Sequence, residues 1–334
     1  MKRNYKYIIG CLLFLFSACH DGITNDTPDM GNPIELRAEV EQQYVTRASD
    51  GGFADGDEIG VFVVNYKNNE AQTLQPTGNH ADNVRFTYSE EMGKWTGSYQ
   101  IYWKDKQTPI DAYGYYPFDA ELSSTQAYPF SVQKNQRDHL KTGRQLSGYE
   151  QSDFLWAKKD NVMPTTAMIN LQHQHKMAGI KVTLVEGTGF DEGEWNEILK
   201  TVLIENTILQ STINLQTGVV SCATAATTQS IIPQQTGDVF RAVVVPQTIS
   251  AEKSLLTITV DNKTYRPTRS EAMIYYPGKL HQFTYEVQKS LETGDYEFSL
   301  LTEAITPWEN DPESHHNSLS QLFLELLVSY SLMA

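Results

Sequence analysis

Cys19 is the residue whose neighbours say most about its chemistry. It closes Phe16-Ser17-Ala18-Cys19, behind an apolar run from Ile8 to Ala18 and a positive start of Lys2, Arg3 and Lys6. A short apolar run behind positive charge and before small residues reads as a signal peptide, and it is too short for a span, which needs about 20 apolar residues. The Ser-Ala-Cys ending looks like a lipobox, so residues 1–18 are expected to be removed and Cys19 to be acylated. Phe16 stands where Leu is usual, with Leu15 one step earlier. Two or more acyl chains anchor stably where one does not. Of the 3 cysteines, Cys11 leaves with the signal, and Cys222 then has no intramolecular partner. Without an activating base nearby, Cys222 reads as a small core or surface thiol rather than a nucleophile.

Other constellations are weaker. His173 and His175, two apart on a strand, share a face, as a zinc pair would, but no third ligand lies nearby. They read as a structural or exposed pair. His315-His316 between Asp311 and Glu313 reads as a solvated hinge. Asp55-Gly56-Asp57 lacks the later ligands of a calcium loop and reads as a turn before a strand. Glu90-Glu91 and Asp191-Glu192 are sequence neighbours, whereas glycoside hydrolysis needs two carboxyls facing across a cleft. No nucleophile elbow, zinc-protease or phosphate-loop motif occurs. The chain therefore reads as a non-enzyme without a cofactor. With 41 acidic and 26 basic residues and a net charge of −15, it offers no basic patch beyond the signal, which argues against nucleic acid as a partner.

The surrounding elements are strands. Residues 19–33 are polar and rich in Gly, Pro and Asp, a tether between lipid and fold. Ile34, Leu36, Ala38 and Val40 then alternate with Glu35, Arg37, Glu39 and Glu41, the pattern of a half-buried strand. Thr46 to Asp57 reads as an exposed loop. Ile59–Val64, Ile110–Tyr116, Ala178–Val185, Thr201–Ile204, Val239–Val245, Leu255–Val260 and Gln282–Val287 are strand-like, with turns at Thr217-Gly218, Asp261-Asn262 and Pro277-Gly278. Helical windows occur near Glu192–Lys200 and Asn135–Thr142. Many short strands at close spacing predict an all-β chain of β-sandwiches, divided near Asn161–Thr166 into residues 34–163 and 164–308, with a tail over 309–334. Tyr99, Tyr102, Trp103, Tyr113, Tyr115 and Tyr116 crowd one region, and core filling is favoured over an adhesive sugar-stacking surface.

Several stretches, in order, resemble the Bacteroidales fimbrillin family, the subunits of type V pili and their lipoprotein relatives. They are Thr46-Arg47-Ala48 before Gly56-Asp57-Glu58-Ile59-Gly60-Val61; Ile101-Tyr102-Trp103 before Asp111-Ala112-Tyr113-Gly114-Tyr115-Tyr116-Pro117; and Asp153-Phe154-Leu155-Trp156-Ala157 before Ile169-Asn170-Leu171-Gln172-His173-Gln174-His175. Ile213 to Gly218, Val245-Pro246-Gln247-Thr248 and Ile305-Thr306-Pro307-Trp308 follow. The resemblance implies two transthyretin-like β-sandwich domains in tandem. It implies a pilus subunit at the outer-membrane surface that assembles with other fimbrial subunits, or else a non-polymerising surface lipoprotein that binds a host or microbial ligand.

The resemblance also implies a cut by a trypsin-like protease in the loop after the first strand. Arg47 is the matching site, in a Gly- and Asp-rich loop; Arg37 competes but lies within the strand pattern. Cutting at Arg47 would release Ile34–Val45 with its lipid. The tail is the expected replacement: Leu322, Leu324, Leu326, Val328 and Tyr330 alternate as a strand with one buried face would. Leu319, Leu322, Phe323, Leu326, Leu327 and Tyr330 equally form a helical stripe, with Ser318 and Gln321 as a capping box.

Overall fold

The computed structural model describes residues 31–41, 52–137 and 146–308. The chain is all-β. The first strands are β1 (Leu36–Val40), β2 (Glu58–Lys67), β3 (Glu70–Ala71), β4 (Ala81–Ser89), β5 (Lys94–Gly97), β6 (Ile110–Tyr116) and β7 (Tyr128–Ser131). After a short helix α1 (Gly148–Ser152) come β8 (Leu155–Val162), β9 (Ile169–His175) and β10 (Ala178–Glu186). A one-turn helix α2 (Glu194–Glu197) precedes β11 (Lys200–Thr207), β12 (Gln210–Asn214), β13 (Val219–Cys222), β14 (Gln229–Ile231), β15 (Gln234–Thr236) and β16 (Val239–Val244). The last are β17 (Gln247–Ile249), β18 (Leu256–Val260), β19 (Lys263–Tyr265), β20 (Met273–Tyr275), β21 (Lys279–Lys289) and β22 (Tyr296–Pro307).

The first sheet runs β1-β9-β8-β6-β2-β4-β5, with β3 beside β2. Further along, one sheet runs β15-β16-β10-β21-β22 and another β14-β11-β18-β19. β7 pairs with β12, so an early strand is built into a later sheet.

Two hydrophobic clusters explain why these sequences form strands. Strand side chains alternate between faces. One face of the first sheet carries Ile59, Val61, Val63, Ala112, Leu155 and Leu171 into a cluster that β1 completes. The opposite face carries Phe62, Val64, Tyr113, Tyr115 and Phe154 into a second cluster, shared with Ile180, Val182, Ile258 and Phe283 of the later sheets. β6 is consequently buried at all seven positions. Burial on both faces replaces alternation with a largely non-polar and aromatic run that Asp111 interrupts.

The expected strands are present, with some differences in extent. The window Glu192–Lys200 holds only the single turn α2, and Lys200 already belongs to β11. In the other helical window, Asn135 forms a parallel bridge to Ile232, and residues 138–142 lie outside those described. Gln136 explains the outcome. Its Nε2 donates to Val243 O at 2.7 Å and its Oε1 accepts from Val243 N at 2.7 Å, so its side chain stands in for a strand neighbour. The division at 163/164 falls between β8 and β9, which pair at Leu155↔His175 and Trp156↔Gln174. Ile169 and Leu171 therefore stay in the first cluster, and the chain leaves the first sheet after His175.

Candidate functional site

The site is the seat of the first strand. β1 lies at the end of its sheet and pairs in parallel with β9, from Leu36↔Ile169 to Val40↔His173. The ladder continues past both ends of β1: Ile169 N donates to Glu35 O at 2.8 Å and Glu41 N to His173 O at 2.7 Å. The alternation puts Ile34, Leu36, Ala38 and Val40 inward, at 2%, 7%, 6% and 4% exposure. Arg37 faces out and pairs with Glu39 at 2.7 Å, an exposed contact of little energetic weight.

The other edge of β1 is closed differently. At its start, Ile34 N donates to Ile101 O at 2.8 Å, and Trp103 N donates to Asn32 O at 2.9 Å. Further along, side chains take over. Gln100 Nε2 reaches Ile34 O at 3.3 Å, and Trp95 Nε1 donates to Ala38 O at 3.0 Å. Trp95 comes from β5, the opposite end of the same sheet, so the sheet curls until its two ends meet. β1 is the seam. Phe53 packs edge-on to Trp95, with ring centroids 5.0 Å apart, and to His173 at 5.6 Å. A cleft of about 200 Å³ lies along this edge between Arg37, Glu39, Phe53, Tyr88 and Trp95.

The histidine pair is structural. His173 is fully buried, and burial pushes its pKa down to about 4. Its Nδ1 faces Leu171 O at 3.1 Å, and its Nε2 has no hydrogen-bond partner among the described residues. Gly114 lies beneath it: a Cβ there would sit 2.6 Å from His173 Nε2. His175 binds Asp153 through Nδ1 at 2.8 Å and stacks on Trp308 at 4.3 Å.

Of the crowded aromatics, Trp103, Tyr113, Tyr115 and Tyr116 are buried, Tyr102 is half-buried and Tyr99 is exposed. Burial also pushes the Tyr113 phenol up to about 12. Asp57 caps the turn before β2, accepting from Ala54 N at 2.7 Å.

Glu41, just past β1, and Trp308, just past β22, line one cleft of about 410 Å³ with Lys176, Gly218 and Gly278. Cys19, Arg47 and the tail residues Leu322, Leu324, Leu326, Val328 and Tyr330 lie outside the described residues. Sequence reasoning found the inward face of β1 but not Trp95, Gln100 or Phe53, which close it. Only the burial of Trp95 between exposed Lys94 and Thr96 carries a period-two trace.

The chain is 25% identical over 266 residues to a Bacteroides uniformis protein provisionally named fimbrium subunit Fim1C, covering 78% of this chain and 80% of that relative. Two crystal structures of proteins provisionally named for cell adhesion share the fold at 18% identity. The one from Bacteroides uniformis superposes with a TM-score of 0.58, over 83% of this chain and 98% of the other. The one from Bacteroides ovatus gives 0.60, over 83% and 97%. The fimbrillin-like family profile matches residues 46–308, and the chain belongs to that family.

Proposed function

We infer that this protein is a fimbrial subunit, exported as a lipoprotein through Cys19 and assembled when its first strand is exchanged for a strand of another subunit. The observation that supports this most is the seating of β1. It is terminal in its sheet, so its departure breaks the β9 ladder and the few bonds from Ile101, Gln100 and Trp95 while the ladders among the other strands stay intact. That departure would expose the sites of Ile34, Leu36 and Val40, each worth about 1.5–3 kcal/mol when buried. It would also unpair the edge of β9, a template for another strand. The name of the Fim1C relative and the family membership support the same reading.

Release requires a cut between β1 and β2. Arg47 is the proposed site for a trypsin-like protease, after which Ile34–Val45 is free to leave. The donor is the C-terminal tail of a neighbouring subunit, carrying Leu322, Leu324, Leu326, Val328 and Tyr330. Glu41 and Trp308 line one cleft, so the last described residue before the tail lies near the end of β1, which supports this reading. Before cutting, the protein is monomeric and lipid-anchored at the cell surface.

The test is protease treatment followed by unboiled gels. The cut wild type should form detergent-resistant ladders, whereas Arg47→Ala and a chain lacking Ser318–Ala334 should stay monomeric. A wild type that is cut yet remains monomeric would overturn the assembly reading. For the lipid, a fatty-acid analogue should label the wild type and not Cys19→Ala.

A further inference from the structure

Resting on the strand-exchange reading above, we propose that His173 is a proton-operated latch on β1: adding a proton to its imidazole favours the state in which β1 has left its seat. The imidazole sits where the β1 ladder ends. His173 pairs with Val40, the last residue of β1, and both are buried on the inward face, His173 at 0% exposure. Phe53 closes edge-on over the ring at 5.6 Å. Gly114 lies so near that a Cβ there would come within 2.6 Å of Nε2, which leaves the ring little room to turn. Nδ1 lies 3.1 Å from Leu171 O, and Nε2 has no partner among the described residues.

Protonated, this ring carries two donors and a charge, and a buried charge without a partner is costly. The charged groups on the elements around it are engaged elsewhere. On β1, Arg37 and Glu39 pair with each other on the outer face. Glu41, beyond β1, lines a cleft with Lys176. On β9, His175 is held by Asp153 at 2.8 Å. Across β6 and β8, Asp111 faces Lys158 at 3.3 Å. Flanking Phe53, Asp55 accepts from Glu90 N and Asp57 from Ala54 N. Past Phe53, Asp57, Glu150 and Asp153 act on the Tyr116 phenol. Burial, rather than any of these charges, lowers the His173 pKa to about 4, and the Leu171 and Glu39 carbonyls oppose it in part. When β1 departs, Val40 and the Glu39 carbonyl leave the ring and water reaches it. The released state then binds the proton more tightly, so by linkage the proton favours release.

Hydrogen exchange of the intact chain tests this at pH 7.5 and 5, with rates corrected for the intrinsic pH dependence of amide exchange. Leu36–Val40 should be less protected than β2 and β6 at both values, because β1 opens on its own. Its protection should fall by about three- to thirtyfold on going to pH 5, the upper figure being the limit in which the freed imidazole regains its ordinary 6.5. His173→Gln should abolish that fall, and His281→Gln should leave it in place. His173→Phe keeps a ring in the site without the proton and repeats the test should the Gln variant not fold. A β1 as protected as β2 and β6, a protection that does not fall, or a fall that persists in the His173 variants would each overturn the latch. Because the chain is uncut, a failure of cut subunits to form ladders would sink the exchange reading and leave this result standing.

Discussion

The indole of Trp95 donates its Nε1 hydrogen to the carbonyl oxygen of Ala38 at 3.0 Å across 57 residues of sequence. This single bond joins the two ends of the first sheet, β5 and β1. Trp95→Phe keeps the ring's bulk but leaves the Ala38 carbonyl without that donor. A lost buried hydrogen bond costs about 1–3 kcal/mol. The amides of Leu36–Val40 should exchange with solvent faster in the variant, read by hydrogen-exchange mass spectrometry, while β2 and β6 stay protected. Unchanged exchange in β1 would show that the bond does not hold the seam.

Leu36→Ala should destabilise the intact chain by about 2–5 kcal/mol in urea unfolding, the range for truncating a buried Leu. Arg37→Ala, on the outward face, should change it by less than about 0.5 kcal/mol. Equal effects of the two would mean that β1 is not seated by its inner face.

His173 makes the first cluster sensitive to acid. Burial lowers its pKa to about 4 from an ordinary 6.5, so between these values the unfolded chain binds the proton and the folded chain does not. Stability is then full above pH 6.5 and falls as pH drops toward 4, by as much as about 3 kcal/mol. His281, also lowered to about 4 by burial, acts in the same sense. His173→Gln should flatten part of the decline in urea midpoint between pH 7.5 and 5. An unaltered slope would show that His173 does not contribute.

Gly114→Ala should cost about 1–3 kcal/mol, as overpacking does. The added Cβ would meet His173 Nε2 at 2.6 Å and Leu171 Cδ1 at 3.2 Å. A Tm within a degree or so of wild type would show that the imidazole moves aside without strain.

The strand content was legible where one face alone is buried. Ile34 to Glu41 alternates because β1 has a core face and a solvent face. β6 was legible from its apolar and aromatic run, but that its two faces serve two clusters is a property of the assembled sheets. α1 is marked in the sequence by Ser147 and Glu150, which form a capping box, with Glu150 N donating to Ser147 Oγ at 3.2 Å. β22 alternates only from Tyr296 to Leu300, since a register shift opposite Thr284/Tyr285 breaks the pattern and the rest of this edge strand is exposed. The helical reading of Asn135–Thr142 fails at Asn135 because Gln136 is recruited by Val243, 107 residues away. The closure of the seam by Trp95, Gln100 and Phe53 was illegible for the same reason. Distant contacts choose among residues whose local pattern allows many roles.

The central claim is that β1 leaves its seat when subunits assemble. The mass and N-terminal sequence of subunits extracted from assembled filaments test it most directly. Subunits beginning at Ala48, with Ile34–Val45 absent, are the predicted result. Subunits that begin at Cys19 and retain Ile34–Val40 within the filament would contradict it.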